Sequence, residues 1–504
     1  MLLGIAFLIL FIAGINFTNL TTSLIPLRLK TINTHRVLGC SIYKLQAISL
    51  IESIVICLIS YILALFIVND LSYTPIANWV DADIRLSQYK GLILLTALIA
   101  ILTGCLAGLY PAIRSTSYAP ALVLKGSFGL SPKGKKVRVA LIGFQYTVSI
   151  ALIIVTLFMG LQNHFMTSSE QLGFNKDQVA IVNLTPEIYA KHKPQYIQKL
   201  KDYPGIEDVA FSVYELSKED DMIDLEYARH EDKDVFFKVF YASENFLSVM
   251  DIQVEEGRDF TREDLNKAQS DYIINPAAER DFHLHPGDRF NDRTVLGVSK
   301  DFRFNSCRIA SSPFVFALNN DIPNPKLVSY IRFNSKTNLQ EAVAHVRETL
   351  KEIDPTFPFE ISFYNTILNN LYQKEQTLGK LISLFGIMAI LISIVGVFGL
   401  VLFETQYRRK EIGIRKINGA TTGQILLMFN KTYIRIVSVC FIISIPIAWM
   451  GTQQWLENFA YKTPLHLWVF IVAFLIILSV TIGTVTFRNW QAANENPVNS
   501  VKSE

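Results

Sequence analysis

Seven stretches of the chain are apolar over about the 20 residues that a helix needs to cross a bilayer. They run Leu2–Leu24, Ile48–Val68, Leu92–Ile113, Val139–Leu161, Leu381–Phe403, Met428–Met450 and His466–Phe487. A long polar block, 162–380, separates the fourth from the fifth. Within that block the pattern changes to short alternating or apolar runs: "QVAIVNL", "VFFKVFY", "DYIIN", "FVFAL", "VSYIRF" and "FEISF". These predict strands. Helical periodicity marks Pro194–Lys201 and Leu339–Ile353. The pattern predicts an α-helical integral membrane protein of about seven spans carrying an α+β domain. Tyr364–Gly379 predicts a polar helix running into span five, with neither Gly nor Pro from Asn365 to Leu378. Such a helix would serve as a rigid stalk.

Composition agrees with this division. Half of the 504 residues are hydrophobic and 18% are charged, against about 25% charge in soluble domains. Mean hydropathy is +0.30. The net charge of +3 decides nothing alone, and no basic tract with interleaved aromatics points to nucleic acid.

The connections between spans alternate in charge. Arg28, Lys30, His35, Arg36 and Lys44 follow span one. Arg114, Lys125, Lys133, Lys135, Lys136 and Arg138 follow span three, and Arg408, Arg409, Lys410, Arg415 and Lys416 follow span five. The connection after span two carries Asp70, Asp81 and Asp83, offset by Arg85 and Lys90. Positive connections stay in the cytoplasm. Block 162–380 and the Trp455–Pro464 loop are therefore outside, and the C-terminus is inside. This puts the N-terminus outside with only Met1 before the first span. A segment lost upstream, or a misassigned start, is the expectation. Glu52, Lys431 and Arg435 fall toward cytoplasmic span ends, and no charge is at a midplane. That pattern argues against an ion-coupled secondary transporter.

The chain repeats itself. "LRLKTINTHRVLGCSIYKLQAI" from Leu27 aligns at constant offset with "YRRKEIGIRKINGATTGQILLM" from Tyr407. Lys30 meets Lys410, Ile32 meets Ile412, Arg36 meets Lys416, Gly39 meets Gly419 and Ser41 meets Thr421. "APALVLKG" from Ala119 matches "NPVNSVKS" from Asn496. The predicted organisation is a three-span repeat (1–126), a basic linker with span four (127–161), an outside domain with its stalk (162–380), and a second three-span repeat (381–504). In the second repeat the connection predicts a short amphipathic helix, with Ile412 and Ile417 turned away from some of its charges. Gly419 stops it and Thr421 starts the next helix. Such an element suits a lipid surface or a cytoplasmic docking partner.

Few residues suggest chemistry. "GLSPKGKK", Gly129–Lys136, misses a phosphate-binding loop by one residue, since Lys136 stands where a metal-binding hydroxyl is required. His283 and His285 form "HLH", but Pro286 and Gly287 follow and predict a turn, and no third metal ligand is evident. Asp301, with Phe302 and Phe304, predicts a strand end rather than a general base. Cys40, Cys57, Cys105, Cys307 and Cys440 are scattered, and only Cys307 lies in the outside block, so no internal disulfide is available there. No catalytic, metal or cofactor set emerges.

"RRKEIGIRKINGATTGQIL", followed by two spans and "NPVNSVK", resembles the C-terminal module of the FtsX/MacB-type permease family of bacterial ABC transporters. "YASENFLSVMDIQVEEGRDFT", "IINPAAERDFHLHPGDRF" and "VLGVSKDFRFNS" look like the family's extracytoplasmic domain. The first repeat departs from the pattern, with Leu29, Thr31 and His35 in place of Arg409, Glu411 and Arg415. The resemblance implies a non-catalytic permease subunit in the inner membrane. A separate cytoplasmic ATPase would press on a coupling helix formed by Arg408, Arg409, Glu411, Ile412, Arg415, Lys416 and Gly419, with Lys30, Arg36 and Gly39 as first-repeat equivalents. It also implies a homo- or heterodimer of permeases, a periplasmic adaptor and contact with lipid. The alternative is a sensor or receptor with an outside ligand domain, which would need a cytoplasmic signalling domain beyond the tail after Phe487. An integral membrane enzyme has no candidate active site.

Overall fold

Helix α1 runs without a break from Leu2 to Val37, carrying the first apolar stretch and most of the basic connection on one axis. It is followed by α2 (Ile42–Leu71), α3 (Lys90–Thr116) and α4 (Pro132–Thr167). The computed structural model describes residues 2–74, 77, 88–117, 132–168, 172–217, 224–231, 233–267, 269–303, 306–318 and 327–494. The repeat ends at 119–126 and 496–503, Asp81, Asp83, Phe304 and the start of the 129–136 loop lie outside them. Lysines expected in that loop instead fall in the first turns of α4, which begins at Pro132. Proline suits the first turn of a helix because its missing N–H has no partner to lose there.

Among the described residues, seven helices are long and apolar enough to span a membrane. Chain contacts divide the protein into a membrane unit (1–160, 377–455 and 464–504) and an outside unit (161–376 and 456–463).

In the membrane unit α3 packs on both α1 and α2. Its small residues permit this. A Cβ on Gly108 would lie 2.5 Å from the Ser53 Cβ, so only glycine allows α2 this close. Three long helices complete the unit: α10 (Gln373–Tyr407), α12 (Thr422–Leu456) and α13 (Leu467–Asn494), with the short α11 (Arg409–Ile417) between the first two. Side-chain hydrogen bonds tie the helices to one another. Asn16 donates to the Ile392 carbonyl at 2.6 Å, Ser149 meets Ser393 at 2.9 Å, and Thr405 donates to Asn489 at 2.7 Å. In lipid, such pairs hold helices together where hydrophobicity alone cannot discriminate.

Among its described residues the outside unit has eleven strands: β1 (Val179–Leu184), β2 (Ile206–Ser212), β3 (Asp224–His230), β4 (Lys233–Ala242), β5 (Val254–Gly257), β6 (Tyr272–Ile274), β7 (Arg289–Phe290), β8 (Arg293–Ser299), β9 (Phe314–Leu318), β10 (Leu327–Phe333) and β11 (Ile361–Phe363). Their order is β11-β1-β10-β2-β4-β9-β6-β8-β5, with β3 paired to β4 and β7 to β8. The sheet is mixed: β4 and β9 are parallel, β1 and β10 antiparallel.

Strand β1 shows why its sequence reads as a continuous apolar run. Ala180 and Val182 pack on one face with Tyr196 and Leu200 of α5 (Lys193–Lys201) and Val346 and Leu350 of α8 (Leu339–Ile353). Val179 and Ile181 face the other way, into a core with Phe240, Phe246, Phe316 and Tyr330. A strand covered on both faces needs apolar residues on both, and in β1 the exposed Asn183 near its end is the exception. Two short helices, α6 (Phe246–Met250) and α7 (Pro276–Phe282), also belong to this unit.

The expected stalk is not one rod. Helix α9 (Tyr364–Leu371) ends at Tyr372, whose backbone leaves helical values at φ −108° and ψ 14°, and α10 starts at the next residue. The Tyr372 ring is fully buried and its hydroxyl donates to the Cys307 sulfur at 3.3 Å. That anchored ring, rather than a glycine or proline, sits at the interruption.

Candidate coupling surface

The duplicated connection closes in the same way twice. After α11, the Gly419 N–H donates to the Lys416 carbonyl at 3.0 Å and the Ala420 N–H to the Arg415 carbonyl at 3.0 Å. After α1, Gly39 donates to Arg36 and Cys40 to His35, both at 3.0 Å. Gly419 sits at φ +87° and Gly39 at φ +89°. This hydrogen-bond pair with a left-handed residue is the Schellman cap, and glycine takes that conformation without a Cβ clash. The next helices are capped in turn. Ser41 accepts from the Lys44 N–H at 3.4 Å. Thr421 accepts from the Gln424 N–H at 3.3 Å, and the Gln424 side chain accepts from the Thr421 N–H at 3.1 Å. Only the second pair is a reciprocal capping box, because lysine at the first-repeat position cannot accept.

The two connections differ in what precedes these caps. In the second repeat the chain breaks at Arg408 (φ −93°, ψ 10°), which separates α11 from α10. Arg408 pairs with Glu404 at 2.9 Å and lies over the Phe429 ring at 5.8 Å. Glu404 also accepts from the Tyr433 hydroxyl at 3.2 Å. Glu411 and Arg415 pair one helical turn apart at 2.8 Å.

Ile412 is buried at 3% exposure, whereas Ile414 and Ile417 are 55% and 65% exposed. The sequence reading set Ile412 and Ile417 on one side. Five residues of helix turn a side chain by about 140°, so the two point apart. Ile414 and Ile417, three residues apart, share an exposed side of α11, and the adjacent Arg415 is exposed as well. The sequence reading missed Ile414 altogether, although an apolar residue flanked by charges on so short a helix is the available signal.

In the first repeat the corresponding stretch stays inside α1. Arg28, aligned with Arg408, makes a bidentate pair with Glu52 of α2 at 2.7 and 2.8 Å. Arg36 donates to the Thr116 carbonyl at 3.1 Å, and Gln46 holds the Thr116 hydroxyl at 3.0 Å. Leu29, aligned with Arg409, is buried. The structure thus places Arg36 and Gly39 at the matching turn, with Arg36 engaged on the end of α3. Lys30 lies in α1 at the position matching Lys410.

Outside, the "HLH" stretch is a turn. His283 ends α7 in the left-handed conformation, and the His285 N–H donates to Asp288 at 2.8 Å. The His285 ring lies 3.5 Å from Glu279, and Glu256 joins them with one ligand atom from each residue inside 4.8 Å. The group lies at the surface, and the imidazole–carboxylate contact accounts for its approach. Asp301 follows the end of β8, as expected for a strand end. Burial raises its carboxyl above the usual range, with Arg303 opposing that shift. A cavity of about 350 Å³ is lined by Asn175, Asp177, Asp251, Gln253 and Lys300 among others. Lys176 pairs with Asp177 beside it at 3.1 Å.

Residues 3–120 and 383–497 match the family model described as the FtsX-like permease C-terminal region. The chain belongs to the FtsX/MacB permease family. Both matched segments contain one of the capped turns. This permease is 25% identical over 212 residues to the macrolide export ATP-binding/permease protein MacB of Aggregatibacter actinomycetemcomitans, covering 40% of this chain and 32% of that protein. It is 25% identical over 223 residues to the protein of the same name in Neisseria gonorrhoeae, covering 42% and 34%. The chain thus spans about a third of the length of the curated relatives it matches. Among solved structures, the periplasmic region of MacB from Actinobacillus actinomycetemcomitans aligns with TM-score 0.30 at 15% identity, over 41% of this chain and 97% of that one. The extracellular domain of the noncanonic ABC-type transporter YknZ from Gram-positive bacteria aligns with TM-score 0.28 at 15% identity, over 36% and 99%. This permease is a multi-pass inner-membrane protein with an extracytoplasmic α/β domain.

Proposed function

We propose that this permease couples ATP hydrolysis by a separate cytoplasmic ATPase to motion of its outside domain, in export or in force transmission across the membrane. The observation that carries this reading is the outward face of α11. Ile414 and Ile417 stay exposed beside Arg415 on a helix pinned at both ends, by the Arg408–Glu404 pair and by the Gly419 cap. A short, rigid helix with an apolar and basic face suits a groove on a partner, where apolar anchors bind and charges set register. The relatives' name pairs ATP binding with a permease, which supports a nucleotide-driven partner. Arg408, Arg409, Glu411, Ile412, Arg415, Lys416 and Gly419 form the coupling element on this reading. Ile412 fastens it inward and Arg415 and Lys416 act toward the partner. A second permease copy, an extracytoplasmic adaptor and surrounding lipid are its further expected contacts.

The test is recovery of ATPase activity with the affinity-tagged chain, solubilised from native membranes, before and after charge reversal at Arg408, Arg409 and Arg415. Loss of recovered activity with insertion intact supports the reading. Undiminished recovery overturns it.

A further inference from the structure

The short connection between α12 and α13 is held by the outside unit far more firmly than a surface loop requires. Gln162, fully buried near the end of α4, uses both ends of its amide on this connection. Its oxygen accepts from the Thr463 N–H at 2.8 Å, and its nitrogen donates to the Tyr461 carbonyl at 3.0 Å. The Tyr461 N–H donates to the Cys307 carbonyl at 3.0 Å, and its hydroxyl accepts from the Ser311 N–H at 3.1 Å. The Tyr461 ring lies 4.2 Å from the Arg303 guanidinium, which is 5.0 Å from Phe165. Arg303 Nη1 is buried without a hydrogen-bond acceptor among the described residues, and the two rings together with the charge of Asp301 offset its desolvation.

The same strap, 306–311, holds the foot of the stalk. The Cys307 N–H donates to the Tyr372 hydroxyl at 3.1 Å, and that hydroxyl donates onward to the Cys307 sulfur. Arg308 pairs with the nearly buried Glu375 at 2.7 Å while lying over Phe459 of the connection at 5.4 Å. Cys307 is thus gripped from one side by the stalk and from the other by the connection, through adjacent atoms of one residue.

We propose that the strap 306–311 is a shared anchor, at which the α12–α13 connection and the foot of α10 act together on the outside domain, with Gln162, Arg303 and Tyr461 as positioning residues. This rests on the coupling reading above and adds a second route to it. By chain connectivity, displacement of α12 and α13 reaches the strap through Tyr461, and displacement of α10 reaches it through Tyr372 and Glu375. Packed interfaces of this kind shift between discrete arrangements rather than deform gradually.

Cys307 supplies the readout. It lies outside, whereas Cys57, Cys105 and Cys440 lie in spans and Cys40 at the inner turn. The experiment labels Cys307 with a membrane-impermeant maleimide in spheroplasts expressing the full chain. Tyr461→Ala and Tyr372→Phe are each expected to raise the labelling rate about tenfold, the scale of one lost buried hydrogen bond. The double variant should be little faster than either single, because both release one anchor. Tyr461→Phe keeps the ring over Arg303 and loses only the bond from the Ser311 N–H, so its rate should fall between wild type and Tyr461→Ala. Wild-type rate in Tyr461→Ala, or effects that multiply in the double variant, would overturn the shared anchor. ATP depletion should also change the wild-type rate, and Arg415→Glu should abolish that dependence. If the anchor variants behave as expected but ATP has no effect, the coupling reading fails while the shared anchor stands.

Discussion

The two inner connections share their glycine C-caps and differ in almost every charge contact. Residues 34–40 and 414–420 repeat their terminal hydrogen bonds position for position, with Gly39 and Gly419 both left-handed. Yet the first is the tail of one long helix, with Arg28 committed to Glu52 and Arg36 to Thr116. The second is a separate helix whose pairs are local, Arg408 to Glu404 and Arg415 to Glu411, and whose Ile414 and Ile417 face outward. Local backbone chemistry preserves a turn; side-chain partners decide what the turn can touch. On this view the second repeat carries the coupling surface, and the first keeps its shape with its basic groups turned to internal contacts.

Charge reversal gives the largest expected contrast. Reversing Arg408, Arg409 and Arg415 should lower recovered ATPase activity by about tenfold or more, since charges at an interface set both register and rate of association. Reversing Arg28 and Arg36 should lower it far less. Equal losses would erase the distinction drawn between the repeats.

Replacing the cap glycines comes next. Gly39→Ala and Gly419→Ala should each destabilise the local turn by about 1–2 kcal/mol, because both positions are left-handed. Thermal unfolding of the purified chain should show similar losses, while ATPase recovery falls only for Gly419→Ala.

A third, smaller effect concerns the pair that holds the first connection. Arg28 and Glu52 are 47% and 43% exposed, so Glu52→Gln should cost no more than about 1 kcal/mol. ATPase recovery should remain unchanged. A rise in recovery would mean that freeing Arg28 restores a docking role to the first repeat.

The smallest contrast lies in the helix starts. Thr421→Ala removes half of a reciprocal box and should cost about 1 kcal/mol, while Ser41→Ala removes a single long bond and should cost about half that. Differential unfolding of the two variants measures it.

Much of the molecule was legible because its signals are local. Uninterrupted apolar runs mark helices that lipid would otherwise strip of backbone partners. β1, β4, β6, β9, β10 and β11 announce themselves by apolar or alternating runs, and α8 is bounded as its periodicity predicts. β2 was hidden by Glu207 and Asp208, and β5 by Glu255 and Glu256, charges that a strand tolerates wherever a residue faces water. The paired faces of α11 were misread for a different reason. Whether Ile412 or Ile417 turns inward depends on where the neighbouring helices lie, and the helix's own pattern does not say.

The sequence by itself determined the seven spans, their orientation, the duplicated capped turn and most of the outside strands, since each depends on residues only a few positions apart. The tertiary structure alone decided the interruption of the stalk at Tyr372, the internal use of Arg28 and Arg36, and the grip of Gln162 on Tyr461 across 299 positions. Those are contacts between distant segments. They form only after the sheet and the helices have fixed the surfaces that meet, and no local periodicity encodes them.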